Sequence, residues 1–229
     1  MLQLFFVEDI NSPELIGDNA HHAERVLRMN SGEELLVSDG NGNWAKCSIL
    51  SISKKSVELK VIEKGYEEKS NQSVSVLQAL PKSDRARETV ELLTAAGVDA
   101  IYPWQSARAI GKESDKWEVA SIEASKQSRR FYIPKVSPKL DTEKAVGLFK
   151  EFDQVLVCHE SAASKVSDLV KPAANTLIVI GPEGGLTNEE LTTFEAAGAK
   201  VIKLGRPVLR SAHAGIAAVS AVSALMRVW

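Results

Sequence analysis

The chain has 229 residues, 44% apolar and 25% charged, with 28 lysines and arginines against 30 aspartates and glutamates for a net charge of −2. These proportions lie near the globular average, so they exclude a disordered tract, a collagen-like repeat and a coiled-coil rod, and the length fits one large domain or two small ones. Near-neutral charge argues against coating nucleic acid through bulk electrostatics, so any RNA contact rests on local basic clusters such as Lys82/Arg85/Arg87, Arg129/Arg130 and Lys54/Lys55.

The first 65 residues read as short strands, LQLFFV, EELLVS, WAKCSILSIS and SVELKVIE, with one helical stretch around AHHAERVLRM. That pattern predicts a small β-barrel. DGNGNW at 39–44 supplies the glycines that a tight hairpin turn needs, and Val57, Leu59 and Val61 alternate with Glu58 and Lys60 to give one dry and one wet face. The polar stretch KGYEEKSNQS at 64–73 then separates two patterns, which divides the chain into 1–68 and 72–229. From residue 74, strands alternate with helices: VSVLQAL, DRARETVELLTAAG, DAIYPW, WEVASIEASKQS, QVLVCHE, TLIVIG and KVIKLG. This predicts an α/β domain, and the continuous apolar runs at 155–158 and 177–180 fit strands of a parallel sheet covered on both faces. The final stretch, SAHAGIAAVSAVSALMRV, is small-sided almost all round and predicts a helix packed closely on two sides.

No apolar run approaches the roughly 18 residues of a membrane span, and the N-terminus has neither a basic flank nor a small-residue cleavage site. A cytoplasmic protein with no membrane partner is expected. Cys47 and Cys158 lie far apart without a CxxC pattern, which suggests neither a disulfide framework nor a metal site. Residues 1–70 hold 8 basic against 12 acidic side chains and the remainder 20 against 18, so the N-terminal part is the more acidic.

The strongest local signal is LIVIGPEGGLTNEEL at 177–191. A strand runs into Gly181, Pro182, Glu183, Gly184 and Gly185, and Thr187 with Glu190 forms a capping box that starts a helix. Glycines there let backbone groups approach a ligand closely; a tight strand-to-helix turn explains them equally well. The loop matches neither GxxxxGK[ST] nor GxGxxG. A second loop, Gly205 to Arg210, follows the next strand, and Cys158-His159-Glu160 ends a third. Ligands of α/β sheets bind beyond the carboxyl ends of strands, so these three ends are candidates for one pocket. Arg210 opposes the positive end of the helix it precedes, so it has an anionic partner, a substrate, or simple exposure to water.

Taken together, HxxxVLRM (His22, Val26, Leu27, Arg28), EAxxQSxR then IP (Glu123, Ala124, Gln127, Ser128, Arg130, Ile133, Pro134), IGPEGGL and LGxxVLR resemble the bacterial 16S rRNA (uracil-N3)-methyltransferase family (RsmE) of the SPOUT superfamily. The resemblance spans nearly the whole chain. It implies a PUA-like RNA-binding barrel over 1–68 and a SPOUT domain with a deep trefoil knot over 72–229. It also implies S-adenosylmethionine as cofactor, a homodimer, and 16S rRNA, within the 30S subunit, as substrate. Carried over, the cofactor would meet His159, Glu160, Ile180, Gly181, Pro182, Glu183, Gly184, Leu204, Gly205, Val208 and Leu209. Arg130, Arg210 and Glu183 would serve catalysis, and Arg25, Arg28, Lys82, Arg85, Arg108, Arg129 and Arg130 the RNA. The chain departs from the family pattern at Ser211-Ala212-His213, where threonine and glutamate are common, and at Arg129, where a small residue is common. His213 is open to two readings, a helical core or interface histidine or a catalytic one. Rival functions are a non-catalytic RNA-binding module and a related enzyme acting on transfer RNA or a ribose hydroxyl.

Overall fold

The computed structural model describes residues 2–53 and 55–229, with Ser83 described by its backbone only, so Lys54 lies outside the described residues. Contacts divide the chain into two units, Met1–Lys69 with Ser125–Ile133, and Ser70–Ala124 with Pro134–Trp229.

In the first unit, β1 (Leu4–Phe6), β2 (Glu14–Ile16), β3 (Glu34–Ser38), β4 (Asn43–Ile52) and β5 (Ser56–Tyr66) form one sheet in the order β1-β3-β4-β5-β2. β1 runs parallel to β3 and the other pairs are antiparallel. A short helix, α1 (Gly17–His21), continues as a π-helical turn over His22–Val26. The expected hairpin joins β3 to β4, with Gly40 at φ 77° and Gly42 at φ 95°. The alternation in β5 also appears: Val57 and Leu59 are buried while Glu58 and Lys60 are exposed. Fully burying aliphatic residues such as Leu15, Leu35 and Ile49 gains about 1.5–3 kcal/mol each, the main support of so small a unit.

Two features differ from the sequence reading. The stretch read as a linker begins inside β5, because Lys64, Gly65 and Tyr66 pair with Ala45, Trp44 and Asn43. The other concerns residues 125–133, which belong with the N-terminal strands rather than with the α/β part. The Phe131 carbonyl accepts from Gly42 N–H (3.0 Å) and Ser38 Oγ (3.1 Å), Ile133 N–H donates to the Gly40 carbonyl (3.1 Å), and Phe131 stacks on Trp44 at 5.6 Å. The first unit is therefore assembled from two separate stretches of chain.

The second unit is built on β6 (Ser73–Ala79), α2 (Ser83–Ala95), β7 (Ala100–Trp104), α3 (Trp117–Ser128), β8 (Lys135–Val136) and α4 (Thr142–Leu148). It continues with β9 (Gln154–Cys158), α5 (Val166–Leu169), β10 (Asn175–Ile180), α6 (Asn188–Ala196), β11 (Lys200–Ile202) and α7 (Ser211–Met226). The last four residues of α3 cluster with the first unit. Its six strands are parallel throughout, in the order β11-β9-β10-β6-β7-β8. Both faces are covered, as the apolar runs require: Val76, Leu156, Ile178 and Ile180 face α2 and α7, while Leu77, Val155, Val157 and Val179 face the side of α4 and α6. Short β8, α4 and α5 carry too weak a periodicity to be read from sequence. No helix among the described residues is long and apolar enough to cross a membrane.

Candidate functional site

Three parallel strands end at one level. Ile180 of β10 pairs with Cys158 of β9, and Cys158 pairs with Ile202 of β11, so the loops that follow leave the sheet side by side. His159 N–H donates to the Ile202 carbonyl (2.9 Å), which fixes the start of the 159–165 loop beside that of 203–210. Between the loops lies a cleft of about 380 Å³, lined by His159, Glu160, Ile180–Leu186 and Val208–Ser211. Leu204 and Gly205 line an adjoining recess of about 80 Å³. The structure thus places all eleven sequence-derived cofactor candidates around two neighbouring hollows of one unit.

The 181–185 loop is held from several sides. Gly185 N–H donates to the Pro182 carbonyl (3.0 Å), closing a turn with Gly185 at φ 72°. The capping box forms as expected: Glu190 N–H donates to Thr187 Oγ1 (3.1 Å) and Thr187 N–H to Glu190 Oε2 (2.9 Å). Glu190 is buried, and its other oxygen accepts from Ala107 N–H (2.8 Å), so one carboxylate ties α6 to the 105–108 loop. Glu190→Ala is expected to lower stability by about 1–3 kcal/mol, because it leaves two part-buried N–H groups unsatisfied; urea unfolding measures this.

Two glycines of the loop also pack tightly against neighbouring side chains. A Cβ at Gly184 would lie 3.2 Å from Arg108 Cβ, and one at Gly181 would lie 3.1 Å from the Leu186 side chain. Both glycines make room for the protein itself. Arg108 Nη1 donates to the Gly184 carbonyl (3.1 Å), so this candidate RNA contact also clamps the loop. At Gly205 a Cβ would meet only Pro207, at 3.8 Å, which leaves that position open.

Ser211 joins the loop to α7. Its hydroxyl donates to the Gly181 carbonyl (2.8 Å) and accepts from Gln78 Nε2 (3.0 Å) at the end of β6. Gln78 is fully buried; a lone amide in the apolar run VSVLQAL was the only sequence trace of this link. Gly215, one turn on, lets α7 lie against Leu93 and Gln78, since a Cβ there would come within 2.9 Å of the leucine.

Glu183 and Arg210 stand at the rim. Glu183 Oε1 accepts from Lys82 N–H (3.3 Å), so one of its oxygens serves to hold the loop. Arg210 is exposed at the N-cap of α7 and makes no ion pair within 4.0 Å among the described residues. Burial pushes the Cys158 thiol up to about 12, which keeps it protonated and unsuited to nucleophilic attack. The His159 ring nitrogen Nδ1 lies 2.8 Å from Ser161 Oγ. Beyond the rim, a separate hollow of about 190 Å³ is lined by Lys82, Arg85, Glu88, Glu183, Arg210 and His213, among others. His213 is about half exposed there, which removes it from the core and leaves the interface and catalytic readings.

The remaining basic candidates, Arg25, Arg28, Arg129 and Arg130, belong to the N-terminal unit, apart from Arg210 and Glu183. Arg25 lies 3.6 Å from Glu24, and Arg129 Nε donates to the Leu2 carbonyl (2.8 Å). Arg28 (φ 53°) and Arg129 (φ 54°) adopt left-handed backbone, a conformation that charged side chains seldom take. Lys46 pairs with Glu34 at 2.7 Å.

A family model described as an RNA methyltransferase domain matches residues 68–223, and one described as an RNA methyltransferase PUA domain matches residues 15–62. The ribosomal RNA small subunit methyltransferase E of Mycobacterium bovis is 35% identical over 243 aligned positions, covering 99% of this chain and 93% of the relative. A Legionella pneumophila protein solved with the bound cofactor SAM is 25% identical, with a TM-score of 0.89 over 98% of both chains. The ribosomal RNA small subunit methyltransferase E of Neisseria gonorrhoeae, bound to S-adenosyl methionine, has the same TM-score and coverage at 24% identity, a likeness of fold.

Proposed function

The chain belongs to the ribosomal RNA small subunit methyltransferase E family, and from that premise we propose that it transfers a methyl group from S-adenosylmethionine to N3 of a uridine in 16S ribosomal RNA. The observation that carries this reading is the cleft and adjoining recess formed where β9, β10 and β11 end together, which between them are lined by the residues assigned to the cofactor. Its residues fit such a ligand. Val208 and Leu209 are exposed apolar side chains at the rim, suited to an aromatic base, while the glycine-bearing loops offer backbone donors and acceptors to a polar tail. Gly205 lines the adjoining recess with no protein atom nearer than Pro207 to an added Cβ, which leaves the backbone there accessible to a ligand.

S-adenosylmethionine supplies an electrophilic methyl group on a sulfonium. This chain's residues have to hold the acceptor ring, favour its N3 anion and keep water away. Arg210, with no carboxylate bound to it and a helix dipole that opposes its charge, is suited to an anionic oxygen of the ring. Glu183 holds the loop at the border, with its second oxygen available toward the substrate. Arg130 is assigned to the substrate from the N-terminal unit, and Arg25, Arg28, Lys82, Arg85, Arg108 and Arg129 to the RNA backbone. The domain division at 68–72 stands within this reading, with the 125–133 stretch added to the RNA-binding side. Family membership also supports the knotted path, in which the chain returns from edge strand β11 to α7 against α2.

The substrate is taken to be the 30S particle in the cytoplasm, and the active form a homodimer built on α7. One face of α7 is already used inside the chain, through Gly215, Ala218, Val219 and Val222, whereas Ile216, Ala217, Ser220 and Ala221 remain half-buried and Leu225 exposed. Light scattering is expected to give roughly twice the 24.9 kDa chain mass. A monomer at micromolar concentration would contradict it. The function itself is tested by mapping modified nucleosides in 16S RNA from cells lacking the protein. Loss of one 3-methyluridine is expected; loss of a ribose methyl group, or of a transfer-RNA modification, would transfer the assignment to a related enzyme.

A further inference from the structure

The hollow beyond the rim is separate from the cofactor cleft, yet the two share Glu183, Arg210 and Ser211. The two hollows therefore share a border at those residues. At about 190 Å³ the hollow has room for roughly six waters at their liquid share of about 30 Å³, the scale of one small planar ring rather than of a nucleotide. Ile110, largely exposed, offers an apolar surface to the face of such a ring.

The charges around it are organised. Arg85 Nη1 binds Glu88 Oε2 at 2.7 Å, and the other Glu88 oxygen lies 3.7 Å from His213 Nε2. The Arg85 guanidinium, with smaller contributions from His213 and Arg210, holds the Glu88 carboxyl below the usual carboxylate range. Glu88 is thus an ionised group facing the His213 imidazole across 3.7 Å, close enough to attract a positive charge that forms on the ring. The other charged groups facing the hollow are Lys82, Asp84, Glu183 and Arg210. Arg210 is a cation suited to a carbonyl oxygen that flanks an imide nitrogen.

We propose that this hollow receives the acceptor uracil and that His213, positioned by Glu88, takes the proton from its N3. The proposal rests on the methyltransferase reading above. The N3–H bond breaks and its proton moves to an imidazole nitrogen. The electron pair left on N3 forms the new bond to the methyl carbon, and the sulfonium–methyl pair stays on sulfur, leaving a neutral thioether and an imidazolium that later loses its proton to water. His213 is the catalytic residue of this step; Glu88 is a positioning residue.

Single-turnover methyl transfer to saturating 30S particles, followed against pH, tests it, with cofactor and RNA titrations alongside. Wild-type rates should level off as pH rises. His213→Gln should be slower by about 10²-fold or more on the plateau, and its rate should keep climbing in proportion to hydroxide, with cofactor affinity unchanged. Glu88→Gln should lower the plateau by about tenfold and keep the levelling shape, because the imidazole is still present. A His213→Gln protein that binds cofactor normally and keeps the wild-type rate and profile overturns the proposal while leaving the methyltransferase reading intact. If the wild-type protein methylates no uridine N3 at any pH, both readings fall together.

Discussion

Arg210→Ala is expected to lower turnover by about a hundredfold or more at saturating RNA, with cofactor affinity nearly unchanged. The size follows from the electrostatics. A preorganised cation beside a developing anion is worth more than the same cation in water, because its orientation costs nothing at the moment of reaction. Arg210 is already in place at the N-cap of α7, held by a backbone whose carbonyl accepts from His213 N–H (2.9 Å) and Ala214 N–H (2.8 Å). Those bonds use the main chain and survive truncation of the side chain. Removing a positive charge from the positive end of a helix also does not weaken the helix, so Tm should hold or rise slightly. The measurements are single-turnover methyl transfer from labelled cofactor, cofactor calorimetry and a melting curve. Wild-type turnover in a folded Arg210→Ala protein would remove the arginine from the chemistry.

Gly205→Val is expected to weaken cofactor binding by about five- to a hundredfold while the fold stays intact. Its Cβ would meet only Pro207, and the branched methyls would then occupy the recess of about 80 Å³ that Gly205 lines. Overfilling a formed site costs about 1–3 kcal/mol, which converts to that range of affinity. Gly184→Val is the instructive contrast. There the new side chain pushes on Arg108 rather than into the cleft, so both stability and the clamp on the loop should suffer. Calorimetry and thermal melting on the two variants separate the cases: unchanged affinity in Gly205→Val would show that the recess is not part of the cofactor site.

Much of this was written in local pattern. The run TLIVIGPEGGLTNEE contains a buried strand, a turn with one glycine at positive φ and a reciprocal cap, and each is decided by residues within a few positions of one another. The alternation of Val57 and Leu59 and the glycines of the 39–44 hairpin are of the same kind. What escaped depends on distance. Nothing in EASKQSRRFYIP shows that its backbone will bond to Gly40 and Gly42, about ninety residues earlier in the chain, because an amide and a carbonyl carry no side-chain signature. The meeting of Glu88 with His213 is equally silent. They stand more than a hundred residues apart in sequence, and only the packing of α7 on α2 makes them neighbours. The closeness of Gly184 to Arg108 escaped for a related reason: a glycine announces that space is needed, but not which atoms need it.

The return of residues 125–133 to the N-terminal strands has a consequence for synthesis in the cell. A nascent chain holding residues 1–69 has all five strands of its first sheet but lacks Phe131 beside Trp44 and the partners of Gly40 and Gly42. At roughly 5–20 residues per second, the 64 residues from 69 to 133 take about 3–13 s to appear. Through that interval a ring-stacking surface and several backbone groups stay open to water, to chaperones and to neighbouring chains. A protein cut after residue 69 would stay in that condition permanently, so the first sheet is expected to be a poor choice for isolation as a fragment.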